Sequence, residues 1–135
     1  MSGATGVSGR KKTSPRLFEP LRLGGVTVAN RIVVSARCQY SAREGLPNDW
    51  HLQDCGSLPS SGPGLLMIEA TAVAPEGRIT TGCLGLCSDA HEAALARLIE
   101  AIRTVGDVRI AHPADPRGTQ GIGDATLERR ASARA

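Results

Sequence analysis

The stretch from Asn30 to Ser41, N-R-I-V-V-S-A-R-C-Q-Y-S, decides how the rest of the chain is read. Ile32, Val33 and Val34 are consecutive β-branched residues with no polar alternation, the pattern of a strand buried on both faces. The run stops abruptly at small and reactive side chains: Ser35, Ala36, Cys38 and Tyr40. A buried strand that opens onto chemistry at its carboxyl end is how parallel α/β folds, barrels above all, present their sites.

Outward from this stretch the same logic repeats. Leu65 to Ile68 is a second apolar run, continuing into Glu69-Ala70-Thr71-Ala72-Val73, and Val108-Arg109-Ile110 opens a third. Between the first two, Trp50 to Ser61 has helical character, with Asn48 or Asp49 placed to cap its start. Pro59 counts against that helix, since an interior proline costs about 3 kcal/mol. Between the second and third runs, Leu95, Leu98, Ile99, Ile102 and Val105 form one stripe and predict a helix over Asp89 to Gly106. Ser88 or Asp89 caps its start and Gly106 marks its stop. Ahead of the first strand, Leu21 and Leu23, then Val26 and Val28, alternate on either side of Gly24-Gly25, which predicts a two-residue hairpin. Strands alternating with helices predict an α/β fold with a parallel sheet.

Composition narrows the function. The 135 residues suit one domain, whereas a complete eightfold barrel takes about 250. Phe18, Tyr40 and Trp50 are the only aromatic residues, so the core is aliphatic. A net charge of +3 with scattered arginines argues against a nucleic-acid partner. No apolar run approaches the roughly 20 residues of a membrane span. Residues 1–16 are Gly/Ser/Thr-rich and basic, without the apolar core of a signal peptide, and read as a solvated leader. Cys38, Cys55, Cys83 and Cys87 then read as reduced thiols of a cytoplasmic protein.

The segment Ser35-Ala36-Arg37-Cys38-Gln39-Tyr40-Ser41 resembles the Ser-Pro-Met-Cys-x-Tyr-Ser that ends the first barrel strand in one branch of the Old Yellow Enzyme family. Glu69 to Val73 resembles that family's second strand, E-A-[ST]-A-V, and Ala74 to Ile79 the loop after it. The resemblance runs from Leu17 to Ile110. It implies a partial TIM barrel over residues 17–110: a hairpin plug, two βα units and the stub of a third strand. It also implies an FMN-dependent oxidoreductase that takes hydride from NAD(P)H and delivers it from flavin N5 to an electron-poor alkene such as an enone. Ser35, Ala36, Arg37 and Cys38 would then run along the flavin edge. Ala70 would pack against the cofactor, and Tyr40 would be the catalytic donor to the substrate oxygen. Arg37 stands where the family has Met, and Asp54-Cys55 where it has His-Tyr.

Residues 111–135 follow no apolar period. Back-translating His112 to Arg130 and reading from the second base of each codon, with suitable third bases, yields I-Q-L-T-H-A-G-R-K-A-S-A-T-L-P-W-S-G. That is similar to the family's third strand and the stretch after it. The tail is therefore read as an out-of-frame peptide after a one-base slip near Ala111, and the chain as a fragment inactive by itself. The later donors, the flavin-contacting Gln and the phosphate-gripping loops that the resemblance implies have no counterpart in the sequence as read.

Single residues also admit plainer readings. Cys38 at a strand end is equally an ordinary small hydrophobe, and Tyr40 acquires meaning only through the shared pattern. Cys83 and Cys87 form a C-x3-C, too weak for a metal clip without a second pair. His51 and His91 fall at helix starts and read as capping or solvated residues. Glu69 reads as a structural acceptor at its strand end rather than a base.

Overall fold

The computed structural model describes residues 14–112 and 114–115; most of the leader and the tail beyond 115 lie outside the described residues. The first elements are β1 (Leu21–Leu23) and β2 (Val26–Val28), an antiparallel pair with Leu21 opposite Val28 and Leu23 opposite Val26. This is the hairpin expected around Gly24-Gly25. Only Val28 of its apolar residues is fully buried.

β3 (Val33–Val34) follows, then α1 (Asp49–Ser57) and β4 (Leu65–Met67). The chain leaves β4 into β5 (Thr71–Ala72), passes β6 (Leu84–Gly85) and α2 (Asp89–Val105), and returns as β7 (Arg109–Ala111) and β8 (Ala114–Asp115). β3, β4 and β7 pair in parallel in that order, with Val34 beside Leu66 and Leu66 beside Ile110. Beyond their carboxyl ends, β6, β5 and β8 form a second parallel set. β4 is reached from β3 through α1 and β7 from β4 through α2, the crossovers that parallel pairing requires, while β5 leads to β6 through a loop with one 3-10 turn, Pro75–Gly77.

The core lies between the sheet and the helices. Leu66 and Ile68 from the second strand, and Val108 and Ile110 from the third, meet Leu95, Leu98, Ile99 and Ile102 of α2 and Cys55 of α1. Each buried aliphatic side chain contributes about 2 kcal/mol. α2 matches the expected stripe except at Val105, which is 49% exposed in the final turn.

Two expectations need correction. The first strand is not buried on both faces: Val34 packs on the core, but Val33 points the other way and is 49% exposed. β3 is an edge strand, and no described element covers its other face. Pro59, secondly, does not sit inside an α-helix. α1 ends at Ser57, and a 3-10 turn over Leu58–Ser61 follows with the proline as its second residue, where a missing N–H costs little. Its ring is buried against Gly106, whose φ of −171° is ordinary extended backbone. Gly106 is small because a Cβ there would stand 3.0 Å from the Pro59 Cβ, not because the helix stop is left-handed. The third strand runs on through Ala111. Ala111 is buried beside Met67, His112 is buried, and Ala114 and Asp115 pair with Thr71 and Ala72.

Candidate functional site

The parallel pairing of β3 and β4 brings their carboxyl ends together, and with them the segments 35–41 and 68–72. Ser35 is exposed, while Ala36, Cys38 and Ala70 are half-buried. Burial pushes the Cys38 thiol up, partly offset by the nearby backbone N–H of Ala70. Two of the expected site residues, from different strands, are therefore neighbours.

Arg37 behaves differently. Its guanidinium turns to α1, where Nη2 donates to Asp54 Oδ1 at 2.7 Å, and its side chain is 69% exposed. The unfamiliar cation is neither buried nor unpaired. Only its backbone remains on the line of the strand end, and its carbonyl accepts from Gln39 Nε2 at 3.2 Å. Tyr40 has a positive φ of 53° and an exposed ring. Gly82 packs directly on the Tyr40 peptide, where any Cβ would collide with the carbonyl, and the Gly82 carbonyl accepts from the Ala42 N–H at 2.9 Å.

What holds this segment in place is a polar network that the sequence reading reached only in part. Glu69 is buried at the end of β4. One of its carboxylate oxygens accepts the Gln39 N–H, and the other faces His51 Nε2 at 3.3 Å. His51 also closes the start of α1: the Asn48 N–H donates to its Nδ1 at 3.2 Å, while Asn48 Oδ1 accepts the Trp50 N–H at 3.1 Å. Asn48 Oδ1 also lies 2.9 Å from His51 Nδ1, and the other ring nitrogen, Nε2, faces the carboxylate. Trp50 Nε1 donates to Gln39 Oε1 at 3.0 Å. Asn48 is thus the expected cap and Glu69 the expected acceptor. His51 caps as expected but is buried rather than solvated. His91 caps α2 against Ser88 and reaches the Glu44 carbonyl at 2.9 Å.

The third strand adds His112, which was read as part of an accidental tail. Its Nε2 donates to Thr71 Oγ1 at 2.8 Å, and the Thr71 hydroxyl donates to the Glu69 carbonyl at 3.1 Å. Burial pushes the imidazole down to about 4. Cys83 Sγ accepts the Thr80 N–H, and Cys87 Sγ donates to the Ala72 carbonyl. All four cysteines are free.

An amino-terminal hairpin, parallel strands joined through outer helices, and small and polar groups gathered at the carboxyl strand ends define the opening units of an α/β barrel. The sequence profile of the NADH:flavin oxidoreductase / NADH oxidase family matches residues 16–110. The chain belongs to that family, whose members use FMN and a nicotinamide. It is 45% identical over 85 residues to an NADH:flavin oxidoreductase of Gibberella zeae, covering 63% of this chain and 21% of the relative. To the NADPH dehydrogenase of Bacillus licheniformis it is 43% identical over 102 residues, covering 72% of this chain and 30% of that one. Among solved structures, morphinone reductase superposes with a TM-score of 0.66 at 28% identity, covering 78% of this chain and 27% of that one. The Old Yellow Enzyme homologue of Zymomonas mobilis superposes at 0.62 with 27% identity, covering 74% and 28%. These are TIM-barrel enzymes, and the chain spans less than a third of the length of each of these four.

Proposed function

We propose that residues 17–110 are the opening, flavin-facing part of an FMN-dependent oxidoreductase that passes hydride from NAD(P)H to activated alkenes such as enones. One observation carries the reading. The family match covers the two strand ends at which Cys38 and Ala70 meet, and both side chains there are small enough to leave a flat ring its space. The residues present suit such a group. Ser35 offers an exposed hydroxyl, Ala36 and Ala70 offer little bulk, and the backbone from Ser35 to Cys38 supplies polar edges, Arg37 contributing through its main chain alone. The flavin, when bound, supplies the hydride chemistry.

Cys38 would lie beside the ring as a polarisable thiol, its partial burial favouring the neutral form. Tyr40 presents a phenol that is a neutral donor at ordinary pH and suits a substrate carbonyl oxygen. The Glu69 carboxylate fixes the Gln39 amide between them, so both groups are aimed by one buried acceptor. Free thiols accord with a reducing, cytoplasmic setting.

The described strand ends supply one side of such a site, and Val33 and Tyr40 stand open to solvent. The 135-residue chain by itself is therefore expected neither to retain FMN nor to reduce alkenes; the second reading, a non-catalytic fragment product, rests on the same open face. Purified chain mixed with FMN and desalted reports the difference. A colourless protein with no NAD(P)H-dependent alkene reduction is the expected result, and stoichiometric yellow flavin would overturn the incompleteness.

A further inference from the structure

Tyr40 stands in a backbone conformation that a residue with a side chain adopts at a cost. Its φ of 53° lies in the left-handed region, which glycine alone enters freely. Such a conformation persists only where the surroundings over-determine it. On the amino side of Tyr40, the Gln39 N–H is tied to Glu69. On its carboxyl side the ties run to a different part of the chain, residues 80–91, which pass through β6 into the start of α2. The Ala42 N–H donates to the Gly82 carbonyl at 2.9 Å, and the Gly85 N–H donates to the Gly45 carbonyl at 2.8 Å. His91 Nε2 stands 2.9 Å from the Glu44 carbonyl, and Glu44 has a positive φ as well, 52°.

At Gly82 the two segments meet without room for a side chain. A Cβ there would collide with the Tyr40 carbonyl group and stand 3.1 Å from the Tyr40 Cα. The three atoms nearest that position all belong to the Tyr40 backbone, which cannot swing aside as the end of a flexible side chain can. The local backbone does not itself ask for glycine: Gly24, Gly45 and Gly62 have positive φ, and Gly82 does not. The seat is also firm. The Gly82 N–H donates to Thr80 Oγ1 at 3.2 Å, the Cys83 N–H closes the turn on the Thr80 carbonyl at 3.1 Å, and Cys83 and Leu84 are buried beside it.

We infer that Gly82 is the positioning residue for Tyr40, the seat that sets the direction of the phenol without touching substrate itself. The inference rests on the reading of Tyr40 as the donor to a substrate oxygen. A side chain at position 82 lifts the Tyr40 peptide, and the hydroxyl at the far end of the ring moves with it. A misplacement of about 1 Å costs up to about a hundredfold in rate.

Two measurements test it. Tyr40 is the only tyrosine, so the full chain made with isotope-labelled tyrosine gives a single amide peak. Gly82→Ala should shift that peak, whereas Gly25→Ala, at a glycine with open space around it, should leave it in place. The second measurement uses the Bacillus licheniformis NADPH dehydrogenase carrying residues 17–110 in place of its matched segment. There Gly82→Ala should keep the flavin and lower kcat/KM for a cyclic enone by about tenfold or more. Added to Tyr40→Phe, the same substitution should cost less than about twofold, because the hydroxyl it misdirects is already gone. If Gly82→Ala fails to fold, Thr80→Val, which releases the Gly82 N–H, should shift the same peak. It should lower kcat/KM about threefold, again only while the Tyr40 hydroxyl is present. An unmoved tyrosine peak, unchanged kcat/KM in a flavin-loaded variant, or an equal loss with and without the Tyr40 hydroxyl would each overturn the seat. A parent chimera without flavin, or one in which Tyr40→Phe changes nothing, would instead remove the reading of Tyr40 beneath it.

Discussion

His112 is buried at the end of the third strand, and burial holds its imidazole neutral down to about pH 4. In the unfolded chain the same group titrates near its ordinary value of about 6.5. Between those limits the unfolded state binds more protons, so stability rises with pH. The contribution is complete above about 6.5 and is lost as pH falls toward 4. Unfolding free energies from urea titrations, measured downward from neutrality, should therefore fall by about 3 kcal/mol in total. His112→Gln, which keeps an N–H for Thr71, should flatten the part of that slope above the carboxylate range. An equal slope in both proteins would remove His112 from the account. Nothing in the local sequence marks this residue, since H-P-A-D has no period and no alternation. Its burial follows from the strand Val108-Arg109-Ile110 carrying it onward beside Thr71.

At the scale of elements, the segment after β3 is held by unequal ties. Glu69 is buried and joins two partners, whereas the Arg37–Asp54 pair is largely in water. Glu69→Ala leaves a half-buried amide and a buried imidazole without their acceptor, and should cost about 3 kcal/mol. Arg37→Met should cost less than about 1 kcal/mol. Chemical denaturation of the two variants checks the order, and the reverse order would mean that the exposed pair anchors the loop. The caps were legible because Asn48 and Ser88 stand directly before helical runs. The Glu69 link was only half legible: an acid at a strand end announces an acceptor, but its partners lie 30 and 18 residues away in sequence. The 3-10 turn at Pro59 was illegible for a similar reason. A proline late in a helical pattern signals damage, and only its packing against Gly106 shows that the helix has already ended.

For the whole molecule, strands alternating with amphipathic helices were enough to foresee parallel β3, β4 and β7 and the hairpin before them. The exposure of Val33 was not foreseeable from three β-branched residues, because it depends on how many strands stand beside the first. The same holds for the proposed site: the pattern from Ser35 to Ser41 offers its candidates, while the side chain of Arg37 found Asp54 on a helix the pattern does not include. The central claim is that residues 17–110 form the flavin-facing opening of an oxidoreductase barrel. Its most direct test is a chimera in which these residues replace the matched segment of the Bacillus licheniformis NADPH dehydrogenase, with bound FMN counted per polypeptide. Stoichiometric flavin in the purified chimera is the predicted result; a folded, soluble chimera that purifies without flavin would contradict it.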